Sequence, residues 1–342
     1  MENYIISSFI CRAKIRGIWY NGIMESLRVG VIGVGYLGSH HARIYKTFKK
    51  EVNLVGLCDT DPAKARLARK FRTAFYPNHQ ALFGQVDAVS IVVPTQGHFQ
   101  IAKEFLEQGV HVLIEKPMTE TVEEADSLLR LARQKELLIQ VGHVERFNRA
   151  IDTIKTIFKT PLFIEAHRLA PFRTRGTEVG VIQDLMIHDI DIVLHLVKSP
   201  VERIDAAGVH ALTPYTDIAN VRINFQNGAV ANLTASRITS KFLRKIRIFG
   251  DDAYVSLNYL KQKADLYRKE GGKIRHQRIA IPKEEPLRRE LEAFVTAVKT
   301  REKPLVSGED GREALKVALD VERLIQERLA RVRKQMAPSP VP

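Results

Sequence analysis

The feature that most constrains this chain is an apolar strand running through a glycine-rich turn into a helix, Arg28-Val-Gly-Val-Ile-Gly-Val-Gly-Tyr-Leu-Gly38. Three glycines stand at G-x-G-x-x-G spacing, and each answers a separate physical demand. Gly33 permits the tight turn, Gly35 lets a pyrophosphate approach the backbone, and Gly38 lets the helix pack closely on the strand. The helix that Tyr36 and Leu37 open directs free N–H groups and the positive end of its dipole at the same point. Glycine-rich turns are common. This one lies between a strand pattern and a helix pattern, which is the context a dinucleotide-binding fingerprint requires.

A second apolar strand, Val52-Asn-Leu-Val-Gly-Leu-Cys58, ends at Asp59. A carboxylate about 20 residues past the last glycine accepts hydrogen bonds from the adenosine ribose hydroxyls. It also repels a 2′-phosphate, so Asp59 argues for NAD over NADP. The alternative is that Asp59 caps the helix starting near Asp61-Pro62, a role Asp favours.

Strands over Asp87–Val93, His111–Ile114 and Leu137–Val141 alternate with helices near Asp61–Phe71, Gly97–Gln108 and Thr121–Gln134. Alternation of this kind predicts an α/β fold with a doubly wound, parallel Rossmann sheet covered on both faces. The pattern then changes. A strand near Leu162–Leu169 and a helix over Asp184–Val197 precede strand-like runs at Val201–Val209, Ile218–Phe225, Ala229–Ser236, Ile246–Phe249 and Tyr254–Leu257. Asn227-Gly228 is a hairpin signal between two of them. These runs predict a second α/β domain with a large, mostly antiparallel open sheet. Helices over Pro286–Thr300 and Glu309–Arg331 close the chain.

The expected organisation is an extension outside the core (1–23), an NAD-binding domain (24–142), a substrate-binding and oligomerisation domain (143–335) and a disordered tail (336–342). The apolar run Ile5–Cys11 is short for a signal peptide, and no basic region precedes it. No apolar run approaches the length of a membrane span. Cys11 and Cys58 have no metal-ligand spacing, and a reducing cytoplasm is the expected location.

The formal charge is +14, with basic clusters at Lys241–Arg247, Lys261–Arg278 and Arg328–Lys334. Such an excess serves a polyanion, an anionic small substrate or plain solubility. No nucleic-acid-binding motif accompanies it. Neither nucleic acid nor a membrane is therefore expected as a partner.

Ligands of open parallel sheets bind beyond the carboxyl ends of the strands. At those ends stand the glycine turn, Asp59, Thr95 with His98, Glu115-Lys116, and His143. Lys116 follows an almost wholly apolar strand. A lysine there either pairs at the surface, or polarises a substrate hydroxyl. Asp184, His188, Asp191 and His195 form a polar stripe along an otherwise apolar helix. A histidine beside a carboxylate is a natural general base. A metal site or a satisfied structural network are the alternatives for this stripe.

Taken together, Gly33-x-Gly35-x-x-Gly38, Val93-Pro-Thr95-x-x-His98, Glu115-Lys-Pro117 and Asp184-x-x-x-His188-x-x-Asp191 resemble the glucose–fructose oxidoreductase/inositol dehydrogenase/MocA family. The resemblance implies an NAD-dependent dehydrogenase with no metal. Lys116 would touch the reacting hydroxyl, His188 would be the acid/base and Asp184 its partner. Thr95, His98 and Glu115 would serve the cofactor. It also implies a homodimer or homotetramer built on the open sheet. Two departures stand out: Met186 where the family commonly has Gly, and Arg149 where it often has Pro.

Val141-Gly-His-Val-Glu-Arg-Phe-Asn148, Ile164-Glu-Ala-His-Arg-Leu169 and Ala235-Ser-Arg237 are similar to a bacterial branch tied to lipid A precursor synthesis. That likeness implies oxidation at C3 of UDP-N-acetylglucosamine, with an aminotransferase acting on the ketone. His143, Arg146, Arg168, Arg173, Arg175, Arg237 and Asp191 are the substrate-side candidates, since arginine suits diphosphate geometry. A dehydrogenase of a free sugar or cyclitol, and a non-catalytic dinucleotide sensor, are the other readings.

Overall fold

The computed structural model describes residues 26–158, 160–172 and 179–336. The expectations for the N-terminal extension, for the tail beyond Met336, and for Arg173 and Arg175 lie outside these residues.

The first sheet is built from β1 (Leu27–Ile32), β2 (Val52–Cys58), β3 (Ala74–Tyr76), β4 (Ala88–Ile91), β5 (His111–Glu115) and β6 (Ile139–Gly142). The strands run in the order β3-β2-β1-β4-β5-β6, all parallel. Every residue of β4 and β5 is buried, as strands covered on both faces require. The covering helices are α1 (Tyr36–Tyr45), α2 (Ala65–Phe71), α3 (His98–Glu107) and α4 (Val122–Gln134). Thr121 and Glu124 close a reciprocal capping box at the start of α4. Strand order reverses between β1 and β4, which opens the ligand crevice above their carboxyl ends.

After α5 (Arg149–Ile157) the chain enters the second sheet with β7 (Phe163–Leu169), followed by α6 (Ile187–Val197). The strands β8 (Val201–Val209), β9 (Ile218–Phe225), β10 (Val230–Ser236), β11 (Leu243–Phe249), β12 (Ala253–Asn258), β13 (Lys263–Glu270) and β14 (Lys273–Ile279) complete it. The order is β14-β13-β12-β11-β7-β10-β9-β8, and β7 with β10 is the parallel pair among antiparallel neighbours. Burial alternates along β7, β10 and β12, so one face carries the core. Against it pack Ile190 and Val193 of α6, and Val317 and Val321 of the final helix α8 (Gly308–Met336).

β13 and β14 occupy the stretch that reads in sequence as a basic cluster. All but the last residue of β14 is exposed, and its charges guard the edge of the sheet. Helix α7 (Pro286–Thr300) returns to the first sheet, where Leu291, Phe294 and Val298 join Val31, Tyr45 and Leu54 in one core. The Val141 N–H then donates to the Val306 carbonyl at 3.1 Å. The segment from α7 to Ser307 is thus fastened to the parallel sheet, although it follows the second sheet in sequence.

Candidate active site

The glycine turn has the geometry of a phosphate cradle. Gly33 adopts φ +82°, and a Cβ there would lie 2.5 Å from the Val92 carbonyl oxygen. A Cβ on Gly38 would lie 1.8 Å from the Gly33 carbonyl oxygen, so only glycine lets α1 approach β1 this closely. At Gly35 an added Cβ meets nothing within 4 Å, which leaves that backbone open to a ligand. Tyr36 is exposed at the opening turn of α1, with Leu37 half-buried beside it.

Asp59 lines the same crevice. Its carboxylate accepts the Val34 N–H at 2.8 Å and the Asp61 N–H at 2.9 Å, tying the end of β2 to the glycine turn. The capping role falls to Asp61, which accepts the Ala63 N–H at 2.9 Å. These residues fit a dinucleotide that carries a free ribose diol.

Lys116 leaves β5 at the same sheet edge. Its Nζ donates to the backbone carbonyl of Asp184 at 2.8 Å and lies 3.6 Å from the Asp184 carboxylate. Asp184 sits in a π-helical turn, Ile182–Met186, in which the Ile187 N–H reaches back five residues to the Ile182 carbonyl. Such widened turns recur at functional sites. Met186, the departure noted in the sequence, is fully buried in the core beneath this turn. His98 braces the lysine from behind, with its ring nitrogens 2.9 Å from the carbonyls of Pro117 and Val93. His98 therefore touches the backbone around Lys116, and Thr95 is half-buried in the turn before it.

His188 opens α6 just beyond Asp184. Burial holds its ring well below the usual imidazole range, and the positive charges of Lys116 and Arg168 push it further the same way. It is therefore neutral at pH 7 and offers a lone pair. Its Nδ1 is buried with no hydrogen-bond partner. His143 is likewise buried, kept neutral chiefly by desolvation, with both ring nitrogens unpartnered.

The candidate arginines behave differently from one another. Arg146 makes a bidentate pair with Asp191 at 2.7 and 2.8 Å and meets His195 Nδ1 at 2.6 Å. Arg168 pairs bidentately with Asp189 at 2.8 and 2.9 Å and reaches Glu145 at 3.0 Å. Arg237 is buried against Asp217 and the Val179 carbonyl. All three are almost wholly buried; Arg146 and Arg168 hold α6 in place through its carboxylates, whereas Arg237 leaves its Nη1 buried without a hydrogen-bond partner. Asp191 is occupied in the same way. Glu115, expected at the cofactor, turns its carboxylate inward toward His41 at 3.3 Å.

Arg244 was not among the expected residues. It lies directly opposite Arg168 across β7 and β11, on the same face of the sheet. Its side chain is 39% exposed, and among the described residues its charged contact is Glu145 at 3.6 Å. It feels the charges of Arg168 and Asp184, and its own charge bears on His188. In sequence it is one residue in a basic run; strand pairing alone turns it toward the site.

A dinucleotide cradle with a lysine and a neutral histidine gathered at the same sheet edge belongs to an NAD-binding oxidoreductase. Residues 27–143 match the oxidoreductase family with an NAD-binding Rossmann fold, and residues 153–256 match the GFO/IDH/MocA C-terminal domain. The chain belongs to the Gfo/Idh/MocA oxidoreductase family. It is 37% identical to UDP-N-acetylglucosamine 3-dehydrogenase of Acidithiobacillus ferrooxidans over 316 residues, 90% of this chain and 100% of that one. A solved structure of that enzyme superposes with a TM-score of 0.85 at 37% identity, covering 89% of this chain and 99% of the other. The myo-inositol 2-dehydrogenase of Thermotoga maritima is 23% identical over 325 residues, covering 88% and 97% of the two chains. Among the described residues no helix is long and apolar enough to cross a membrane.

Proposed function

We propose that this protein oxidises the C3 hydroxyl of UDP-N-acetylglucosamine to a ketone. The observation that carries the reading is the 2.8 Å contact of Lys116 with Asp184, which gathers lysine, carboxylate and the neutral His188 at the cofactor edge. The likeness to the Acidithiobacillus enzyme over the whole of that chain supports the substrate. NAD, when bound, supplies the acceptor for the hydride that leaves C3. His188 takes the hydroxyl proton, and the Lys116 ammonium stabilises the alkoxide that forms. Asp184 orients Lys116, and Arg244 offers donors to the substrate diphosphate.

The unit that holds the cofactor is residues 24–142 with α7 returned to it, and the remainder up to residue 335 holds the substrate. Oligomers form through the outer face of the large sheet, on which Phe249, Tyr254, Tyr267 and His276 stack at 4.7 to 4.9 Å. The ketone is a substrate for an amine-transferring enzyme. The test is NADH absorbance: UDP-N-acetylglucosamine reduces NAD, whereas N-acetylglucosamine and myo-inositol do not.

A further inference from the structure

Behind Lys116 lies a polar cluster that the reaction as described does not use. His41 of α1, Glu115 of β5 and Glu290 of α7 are all buried, two of them completely. One ligand-type atom from each lies within 4.8 Å of the others. Both ring nitrogens of His41 and both carboxylate oxygens of Glu290 lack a hydrogen-bond partner. Around them stand Tyr45, bonded to Ser90 at 2.8 Å, and Gln140, which donates to the Glu290 carbonyl at 3.1 Å. Among the described residues, Asp191, His143, His98 and Tyr45 also interact electrostatically with Glu115 or Glu290.

Two ionised carboxylates cannot share so dry a space, so one of them keeps its proton. Burial, then the charges of Glu115 and Asp191, raise the Glu290 carboxyl well above the usual carboxylate range, which marks it as the holder. Glu115 links the cluster to the active site. Its Oε1 lies 3.3 Å from His41 Nε2, and its Oε2 accepts the backbone N–H of Lys116 at 3.2 Å. Gly142 makes room for it, since a Cβ there would come within 2.8 Å of that Oε2. The Glu115 carboxylate thus packs against the cluster on one side and is hydrogen-bonded on the other to the residue that carries the reactive ammonium.

We propose that His41, Glu115 and Glu290 form a closed polar cluster that fixes the Glu115 carboxylate and so positions Lys116 for the hydroxyl it faces. The positioning role rests on the functional reading above; the neutral Glu290 carboxyl does not. His41 and Glu290 touch neither substrate nor cofactor and act through Glu115.

The test has an arm that needs no substrate. Infrared difference spectra at neutral pH show a neutral carboxyl band in the wild-type protein that E290Q lacks. Identical spectra, or one equivalent of a divalent metal in the purified protein, overturn the proposal. In the kinetic arm, H41A and E290A lower kcat about a hundredfold and raise the deuterium isotope effect on hydride transfer, while the Kd for NAD moves less than about threefold. E290Q restores most of what E290A loses, because its amide keeps a hydrogen where the acid has one. An unchanged kcat in H41A, or an E290Q as slow as E290A, overturns it too. A wild-type protein that turns over no UDP-sugar defeats the functional reading, and the infrared arm still decides on the neutral Glu290 carboxyl.

Discussion

Lys116 and Asp184 stand 68 residues apart in sequence and meet at 2.8 Å, lysine Nζ on the aspartate carbonyl. The contact joins the end of a parallel strand to the π-helical turn that opens α6. It brings together the chemistry of two sheets that share no strand.

The first consequence concerns turnover. Lys116→Met and His188→Ala each lower kcat by about 10²- to 10⁴-fold, the range expected for a positioned proton-transfer or charge-stabilising group. NAD still binds both variants, because the glycine cradle and Asp59 are untouched. Steady-state kinetics beside a fluorescence titration of cofactor checks this.

On the proposed reading, Asp59 governs the choice of cofactor. Asp59→Ala removes the carboxylate at the end of β2 and also releases the Val34 N–H. The loss of charged hydrogen bonds weakens NAD by about tenfold or more, and NADP gains relative to it. Comparing kcat/KM for the two cofactors measures the change.

Much of this was legible in the sequence, for reasons that are local. The glycine spacing, the Asn227-Gly228 turn and the Pro286–Thr300 helix depend on neighbours a few residues away, and each stands where local rules place it. The resemblance supplied Lys116 and His188 as partners. What escaped depends on distant contacts. β3 is three residues long, too short for a periodic signal. β13 and β14 carry so much charge that their alternation is hidden. Arg146, Arg168 and Asp191 looked like free substrate ligands until strand and helix packing gave them one another. Arg244 and Glu290 acquire their surroundings only when β11 pairs with β7 and α7 folds back on the first sheet.

Arg244 is a half-exposed cation beside the site. Arg244→Ala raises KM for a UDP-sugar about tenfold with a smaller effect on kcat, since a lost charged hydrogen bond costs about 1.5–3 kcal/mol. Arg244→Lys recovers part of the affinity. Equal KM values in wild type and R244A remove the residue from substrate recognition.

Acid sensitivity follows from the buried imidazoles. His98, His111, His143, His188 and His195 are all held below the usual 6.5, chiefly by burial, with His111 and His195 lowered to about 4. Above pH 6.5 neither the fold nor the unfolded chain protonates them, and their contribution is complete. As pH falls below 6.5 the unfolded chain takes up protons that the fold refuses, so stability declines toward the folded values. The Tm falls between pH 6.5 and 5, and His195→Gln makes that decline shallower.

Transfer of label from the substrate carbon to the cofactor tests the central claim most directly. UDP-N-acetylglucosamine deuterated at C3, incubated with the enzyme and NAD, yields singly deuterated NADH, and Lys116→Met yields almost none in the same time. Unlabelled NADH from that substrate, or deuterium retained in full at C3 while NADH accumulates, contradicts the account.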